Sequence, residues 1–120
     1  RDEIVIRVVR TCVCGSDLWF FRGLSRQAAH SQVGHESIGV VEEVGAAVES
    51  VKPGDFVVVP FPYSCGKCPV CKAGFESVCP HGGYFSACQA EYLRVPEADG
   101  TVSRCPVRRK TTTTRRSLRC

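Results

Sequence analysis

The 120-residue sequence contains no methionine, a single tryptophan and no long apolar run. Its apolar runs extend over only a few residues, as in Val57-Val58-Val59. Because a helix that crosses a bilayer needs about 20 apolar residues, the sequence excludes a transmembrane helix. The charged start Arg1-Asp2-Glu3 is unlike a signal peptide. With the missing methionine, it predicts that the natural N-terminus lies upstream of residue 1.

Acidic residues are absent from positions 103–120, which hold seven lysines and arginines. Residues 1–102 hold nine basic and twelve acidic residues, so the positive net charge of +4 comes from the C-terminal segment. The sequence therefore does not indicate a basic nucleic-acid-binding face on the domain. We therefore divide the chain into a domain over residues 1–102 and a basic tail over residues 103–120, which we expect to be disordered. Two interpretations of the tail stay open: a contact for nucleic acid or a partner, and, favoured by its composition, out-of-frame translation after a frameshift near residue 102.

Helix-forming segments are scarce, whereas short β-branched runs recur between glycine and proline turns. The pattern predicts strands over residues 4–9, 37–44, 56–59 and 89–95, a turn over residues 51–55, and one short helix over residues 18–21 capped by Ser16 or Asp17. Residues 24–33 and 62–84 are predicted loops. This pattern is typical of a mainly β fold, either a small barrel or a sandwich.

Cysteine is abundant, with nine residues in the chain. Four of them follow the spacing Cys65-x2-Cys68-x2-Cys71-x7-Cys79, in a loop whose Gly66, Pro69 and Gly74 suit tight turns. Four thiolates close a tetrahedral shell around zinc. Since no secretory signal accompanies them, we expect a metal site in a reducing, cytoplasmic compartment rather than a disulfide framework. An iron–sulfur cluster is a further alternative, although the final spacing of seven residues differs from the bacterial ferredoxin pattern.

A second group of candidate ligands lies earlier in the chain, in Cys14-Gly15-Ser16-Asp17 and Gly34-His35-Glu36. A thiolate at a strand end and an imidazole in a loop can meet at one metal ion. Further motifs follow in order: Gly-Val-Val-Glu-Glu-Val-Gly from residue 39, Lys-Pro-Gly-Asp-Phe-Val-Val-Val from residue 52, the four-cysteine loop, and Ala-Glu-Tyr-Leu-Arg-Val-Pro from residue 90. This ordered set, over about residues 2–102, resembles the N-terminal catalytic domain of zinc-containing medium-chain alcohol dehydrogenases.

The resemblance implies a GroES-like β-barrel with a zinc-binding lobe at about residues 62–84 and little helix. It implies that Cys14 and His35 bind a catalytic zinc, that Glu36 can coordinate it, that Ser16 takes the proton of the alcohol, and that Asp17 orients His35. It assigns the structural zinc to Cys65, Cys68, Cys71 and Cys79. The implied partners are a small-molecule alcohol or aldehyde and, for the parent enzyme, NAD(P) and a second copy of the enzyme, with no membrane and no nucleic acid.

Three departures from the family pattern follow from the sequence. Trp19 stands where many members have a proton-relaying histidine, the third protein ligand of the catalytic zinc comes from beyond this segment, and no Gly-x-Gly-x-x-Gly fingerprint for a dinucleotide is present. We therefore expect one firmly held zinc, a second zinc that is weakly bound or absent, and no turnover by this chain alone. The alternative function is a stand-alone zinc-binding module whose basic tail contacts nucleic acid or a partner.

The remaining residues of these types are given structural interpretations. Cys12 is predicted to pack in the core and Cys88 to pack beside its strand. For Trp19 two interpretations stay open, packing in the substrate channel and, favoured here, packing in the core. His30 and His81 are predicted to be solvated loop residues.

Overall fold

The computed structural model describes residues 1–26, 28 and 31–106, and the elements below belong to this part of the chain. Its strands are β1 (Ile4–Thr11), β2 (Ser37–Val44), β3 (Phe56–Val59), β4 (Pro62–Tyr63), β5 (Gly83–Tyr84), β6 (Tyr92–Val95) and β7 (Ser103–Arg104). Its helices are α1 (Asp17–Phe21), α2 (Pro69–Lys72) and α3 (Ala98–Thr101), with a 3₁₀ turn over Glu76–Val78. The predicted mainly β class is therefore confirmed. None of these helices is long and apolar enough to cross a membrane.

Five strands form one antiparallel sheet in the order β6-β1-β2-β3-β7, and β4 and β5 form a separate two-stranded ribbon. Strand β1 pairs with β2 from Ile4 opposite Val44 to Thr11 opposite Ser37. The register of this pair shifts between Val5 and Ile6 and again between Val8 and Arg10. Such irregularities bend a strand and increase its twist, which lets a sheet curve around a core. The last pair of β1 and β2 lies next to the candidate ligands Cys14 and His35.

The core lies on one face of this sheet because apolar side chains alternate along its strands. Ile4 and Ile6 on β1 and Val57 and Val59 on β3 are almost fully buried. The sequence predicted these two strands from their β-branched runs, and it used alternation only for the strand over residues 89–95. The core is completed by Val41, Val51, Phe85, Cys88, Leu93, Val95 and Ala98.

Several predicted boundaries differ from those of the structure. Strand β1 continues to Thr11, beyond its predicted end at residue 9. Strand β6 begins at Tyr92, whereas the sequence predicted its start at residue 89. The backbone N–H groups of Cys88 and Gln89 donate instead to the carbonyl oxygens of Gly34 and Val33, at 3.0 Å each. The residues just before β6 are thereby hydrogen-bonded to the loop that carries His35. A pattern of residue propensities along one strand does not reveal such a contact between segments.

The predicted start of the tail is also displaced. Ser103 and Arg104 form β7 and pair with Val58 and Val57, and the N–H of Cys105 donates to the carbonyl of Phe56 at 2.9 Å. The sheet therefore continues beyond residue 102, the predicted domain boundary. The rest of the predicted disordered or out-of-frame tail, residues 107–120, lies outside the described residues, as does His30.

The four-cysteine loop is attached to the sheet through α3. Ser64 Oγ donates to the carbonyl of Gly100 at 2.6 Å, and Ser64 N–H donates to Thr101 Oγ1 at 3.2 Å. A Cβ atom on Gly100 would lie 2.3 Å from Gly66 N and 2.4 Å from Ser64 O. Because these neighbours are backbone atoms, glycine at position 100 is required for the loop to lie against α3.

Replacing Gly100 by alanine should lower the free energy of unfolding by about 1–3 kcal/mol, because the added methyl group overlaps the backbone of the cysteine loop. Thermal unfolding followed by circular dichroism measures the effect. Gly15→Ala is the matched control, since a Cβ there meets no atom within 4 Å. If Gly100→Ala proved as stable as Gly15→Ala, the attachment of the loop through α3 would be wrong.

Candidate metal centres

The four-cysteine loop places backbone N–H groups around its first sulfur atom. Gly66 adopts a φ of 66°, a conformation that favours glycine, and the N–H groups of Lys67 and Cys68 then donate to the sulfur of Cys65. Cys68 precedes α2, and its sulfur accepts a hydrogen bond from the N–H of Cys71 at 3.5 Å. Pro69 suits the first helical position because the missing N–H has no helical partner there. The two-residue spacings thus have a local structural cause.

The four sulfur atoms form a compact group whose separations fit a single zinc ion. The distances are 3.5 Å between Cys68 and Cys71, 3.6 Å between Cys65 and Cys79, 3.9 Å between Cys68 and Cys79, and 4.0 Å between Cys65 and Cys71. A tetrahedral ion with zinc–sulfur bonds of about 2.3 Å separates its sulfur ligands by about 3.8 Å. All four sulfurs lie within 4.8 Å of one another.

The same distances decide among the interpretations that the sequence left open. None of the four cysteines is paired in a disulfide, and the separations far exceed a sulfur–sulfur bond of about 2.05 Å. In a multi-iron cluster the thiolates bind different iron atoms, whereas this group surrounds one point. The geometry of the loop therefore fits the predicted zinc site. The predicted zinc-binding lobe, at about residues 62–84, begins at β4 and ends at β5.

The ionisation of these thiols shows why the group suits a dication. The N–H of Lys67 lowers the pKa of Cys65 to about 6, and burial raises the pKa of Cys71 to about 12. Four adjacent thiolates repel one another unless a cation lies between them. A metal ion deprotonates a coordinating thiol outright, so a bound ion would remove this difference in pKa among the four thiols. The ammonium of Lys67, which could offset the negative charge of such a site, lies instead 3.4 Å from Glu97.

A second group of donors is formed by Cys14, His35 and Glu36. Their sulfur, imidazole nitrogen and carboxylate oxygen lie within 4.8 Å of one another, and among the described residues this trio and the four-cysteine group are the two sets with such spacing. Cys14 follows β1, and His35 and Glu36 immediately precede β2. Thiolate, imidazole and carboxylate are the donor types found in catalytic zinc sites, so the trio fits that metal.

The carboxylate of Asp17 contacts both halves of this second group. Its Oδ2 accepts a hydrogen bond from the backbone N–H of Cys14 at 2.9 Å. Its Oδ1 lies 3.3 Å from Nδ1 of His35, and both side chains are largely buried. With Nδ1 facing a carboxylate, Nε2 of His35 is the nitrogen that remains for a metal.

Ser16 contacts the sulfur of Cys14. Hydrogen bonds from the Ser16 hydroxyl and backbone N–H, together with one from His35, lower the pKa of Cys14. The hydroxyl predicted to accept the alcohol's proton therefore lies beside a candidate metal ligand. Ser16 also precedes α1, but its side chain makes no capping hydrogen bond, in contrast to the predicted cap.

Aromatic and apolar side chains surround the second group. The ring of Phe61 meets that of His35 edge-on, with centroids 4.8 Å apart, and stacks on Tyr84 at 4.7 Å. On the side of Asp17 there is an open cavity of about 750 Å³. Its lining includes Val13, Leu18, Phe20, Phe21 and Val33. A small, mainly apolar molecule could therefore approach the group from this side.

Two predictions of buried side chains are wrong. Trp19 is 60% exposed. It lies in α1, a short helix in which no residue is buried. Cys12 is exposed rather than buried, and its thiol donates a hydrogen bond to Oε2 of Glu36 at 2.7 Å. Cys88 is fully buried, as predicted, and His81 is exposed, as predicted. The contact of Cys12 with Glu36 was missed, although the Cys-x-Cys spacing at the end of a strand was a signal for it.

Comparison with known proteins gives concordant matches. The sequence pattern of the family described as the alcohol dehydrogenase GroES-like domain matches residues 1–106. Zinc-type alcohol dehydrogenase B of Aspergillus flavus is 46% identical over 109 residues, which cover 87% of this chain and 26% of that protein. The solved alcohol dehydrogenase TADH from Thermus sp. ATN1 is 35% identical, with a TM-score of 0.81, and the match covers 88% of this chain and 33% of that one.

A solved NAD-dependent alcohol dehydrogenase is also similar, at 31% identity and a TM-score of 0.70, over 88% of this chain and 32% of that one. The chain thus spans about a quarter to a third of the length of the proteins that it matches.

The purified chain should lose about one zinc ion when Cys71 is replaced by serine, because three thiolates and a hydroxyl hold zinc far less firmly than four thiolates. Elemental analysis after dialysis against a chelator measures the retained zinc. Cys105→Ser is the matched control, since Cys105 lies outside both groups. Retention of the same zinc content by Cys71→Ser and the unmodified chain would contradict the proposed ligand set.

Proposed function

Since this chain belongs to the alcohol dehydrogenase GroES-like domain family, we propose that it provides the metal-binding catalytic part of a zinc-dependent alcohol dehydrogenase. The observation that supports this most strongly is the convergence of Cys14, His35 and Glu36, with Ser16 and Asp17 in contact with them. The reaction is the NAD(P)-dependent oxidation of an alcohol or the reverse reduction of an aldehyde or ketone.

We propose that Cys14, His35 and Glu36 hold the catalytic zinc. Bound there, zinc would supply the Lewis acidity that polarises the oxygen of the substrate and lowers its pKa. The site must hold its ligands rigidly for this chemistry. Asp17 provides that rigidity, because one carboxylate contacts the backbone of Cys14 and the ring of His35 together.

Ser16 is the residue that we propose to accept the proton of the alcohol. Its hydroxyl lies beside the sulfur of Cys14, so a substrate oxygen near the three donors would be within its reach. Residue 19 cannot relay this proton further, because an indole N–H has no acceptor function. Ser16 is itself partly exposed, so it would exchange this proton directly with solvent.

The hydride requires an acceptor, for which we propose NAD(P) bound by protein sequence other than residues 1–120. The proteins that this chain matches are about three times as long, which is consistent with a separate nucleotide-binding part. We further propose a small apolar alcohol or aldehyde as substrate, from the cavity beside Asp17. A cytoplasmic location completes the proposal, since a four-thiolate site requires reduced sulfur. The family resemblance further implies that the parent enzyme is a homo-oligomer.

A chimera tests this function. Residues 1–106 of this chain, which include β7, replace the matching segment of the Thermus alcohol dehydrogenase, and initial rates are measured with a primary alcohol and NAD(P). The chimera should turn over, and Ser16→Ala should lower kcat by about 10²–10⁴-fold with little effect on KM, because it removes proton transfer. Ser86→Ala, at an exposed serine that belongs to neither metal group, is the matched control.

Two results would contradict the proposal. A folded, zinc-loaded chimera without alcohol oxidation would show that these residues do not form a competent site. Equal kcat values for Ser16→Ala and Ser86→Ala would remove Ser16 from the reaction. The 120-residue chain alone should show no turnover.

A further inference from the structure

The carboxylate of Glu36 has different neighbours on its two oxygens. Oε1 lies 3.7 Å from Nε2 of His35, on the side of the candidate metal ligands. Oε2 accepts a hydrogen bond from the thiol of Cys12 at 2.7 Å. Cys12 does not belong to the compact trio of donors, and it contacts the carboxylate oxygen other than the one nearest His35.

The backbones that carry this pair are already fixed by other contacts. Thr11 Oγ1 donates to the carbonyl of Glu36 at 2.8 Å, and Gln89 Nε2 donates to the carbonyl of Cys12 at 3.4 Å. Gly34 lies against Gln89 so closely that a Cβ atom would be 2.5 Å from Gln89 Cγ. With both main chains held, the remaining freedom of Glu36 is rotation of its half-exposed side chain.

A hydrogen bond to one oxygen removes that freedom and leaves the other oxygen available. A carboxylate fixed in this way can bind a metal through a single oxygen, and partners that orient a ligand typically change metal affinity by about 10–100-fold. The effect is large at this centre, because the described residues offer one thiolate, one imidazole and one carboxylate there.

We propose that Cys12 is a positioning residue that holds Glu36 as a single-oxygen ligand of the metal bound by Cys14 and His35. The side chain of Cys12 lies outside the coordination shell, and it acts on the metal through its hydrogen bond to the carboxylate. This inference rests on the proposed function, since it requires a metal centre at Cys14 and His35.

The test uses the 120-residue chain loaded with one equivalent of zinc and then titrated with Co²⁺, whose visible absorption reports the second site. Competition with a chromophoric chelator gives the affinity. Cys12→Ala should weaken Co²⁺ binding by about 10–100-fold, and Cys12→Ser should restore it to within a few-fold, because serine keeps the donor. The thiolate-to-cobalt absorption should be unchanged in Cys12→Ser, since Cys14 is the sulfur ligand. Cys105→Ser is the control and should match the unmodified chain.

A double-mutant cycle identifies the route of the effect. In a Glu36→Ala background, Cys12→Ala should cause no further loss of Co²⁺ affinity. The inference is overturned if Cys12→Ala binds Co²⁺ as tightly as the unmodified chain, or if its full effect persists without Glu36. A loss of sulfur-to-cobalt absorption in Cys12→Ser would make Cys12 a direct ligand and also overturn it. If the unmodified chain binds no second metal even at saturating Co²⁺, the inference for Cys12 is overturned, whereas the proposed function is tested separately by turnover of the chimera.

Discussion

The proposed binding of one metal ion by four sulfur atoms is the interaction on which the order of the cysteine loop would depend. Few apolar side chains support this part of the chain: the residues packed around Cys65, Cys68 and Cys71 are Val70 and Cys79. Phe75 and Val78 are mostly exposed. A loop with so small a core gains its order chiefly from metal coordination, because binding free energy and folding free energy are coupled at such sites.

The ordered loop in turn contacts the sheet at the end remote from the second metal group. Ser64 and Gly66 lie against Gly100, and Asp99 in the same helix accepts hydrogen bonds from the N–H groups of Glu49 and Ser50. Helix α3 therefore links the loop to the turn before β3. Tyr84, which follows the loop in β5, stacks on Phe61 beside His35. The aromatic stack of Tyr84 and Phe61 thus connects the end of the cysteine loop with His35.

The features that were predictable from the sequence are those with a local cause. The inward side chains of β1 and β3 alternate, and the two-residue spacings of the cysteines reflect N–H groups that point at the sulfur of Cys65. Cys14 and His35 lie in different segments, so only the family resemblance brought them together before the structure did. The exposure of Trp19 was not predictable, because an aromatic run does not reveal whether another surface covers it. The contact between Cys12 and Glu36 depends on how two chain segments meet beyond their last strand pair.

X-ray absorption at the zinc edge tests the central claim most directly, using the purified chain with one equivalent of zinc. Coordination by Cys65, Cys68, Cys71 and Cys79 predicts a shell of four sulfur atoms at about 2.3 Å and no nitrogen or oxygen in that shell. A shell of mixed oxygen and nitrogen at about 2.0–2.1 Å would contradict the account. A preparation that contains iron in place of zinc and absorbs visible light would also contradict the account.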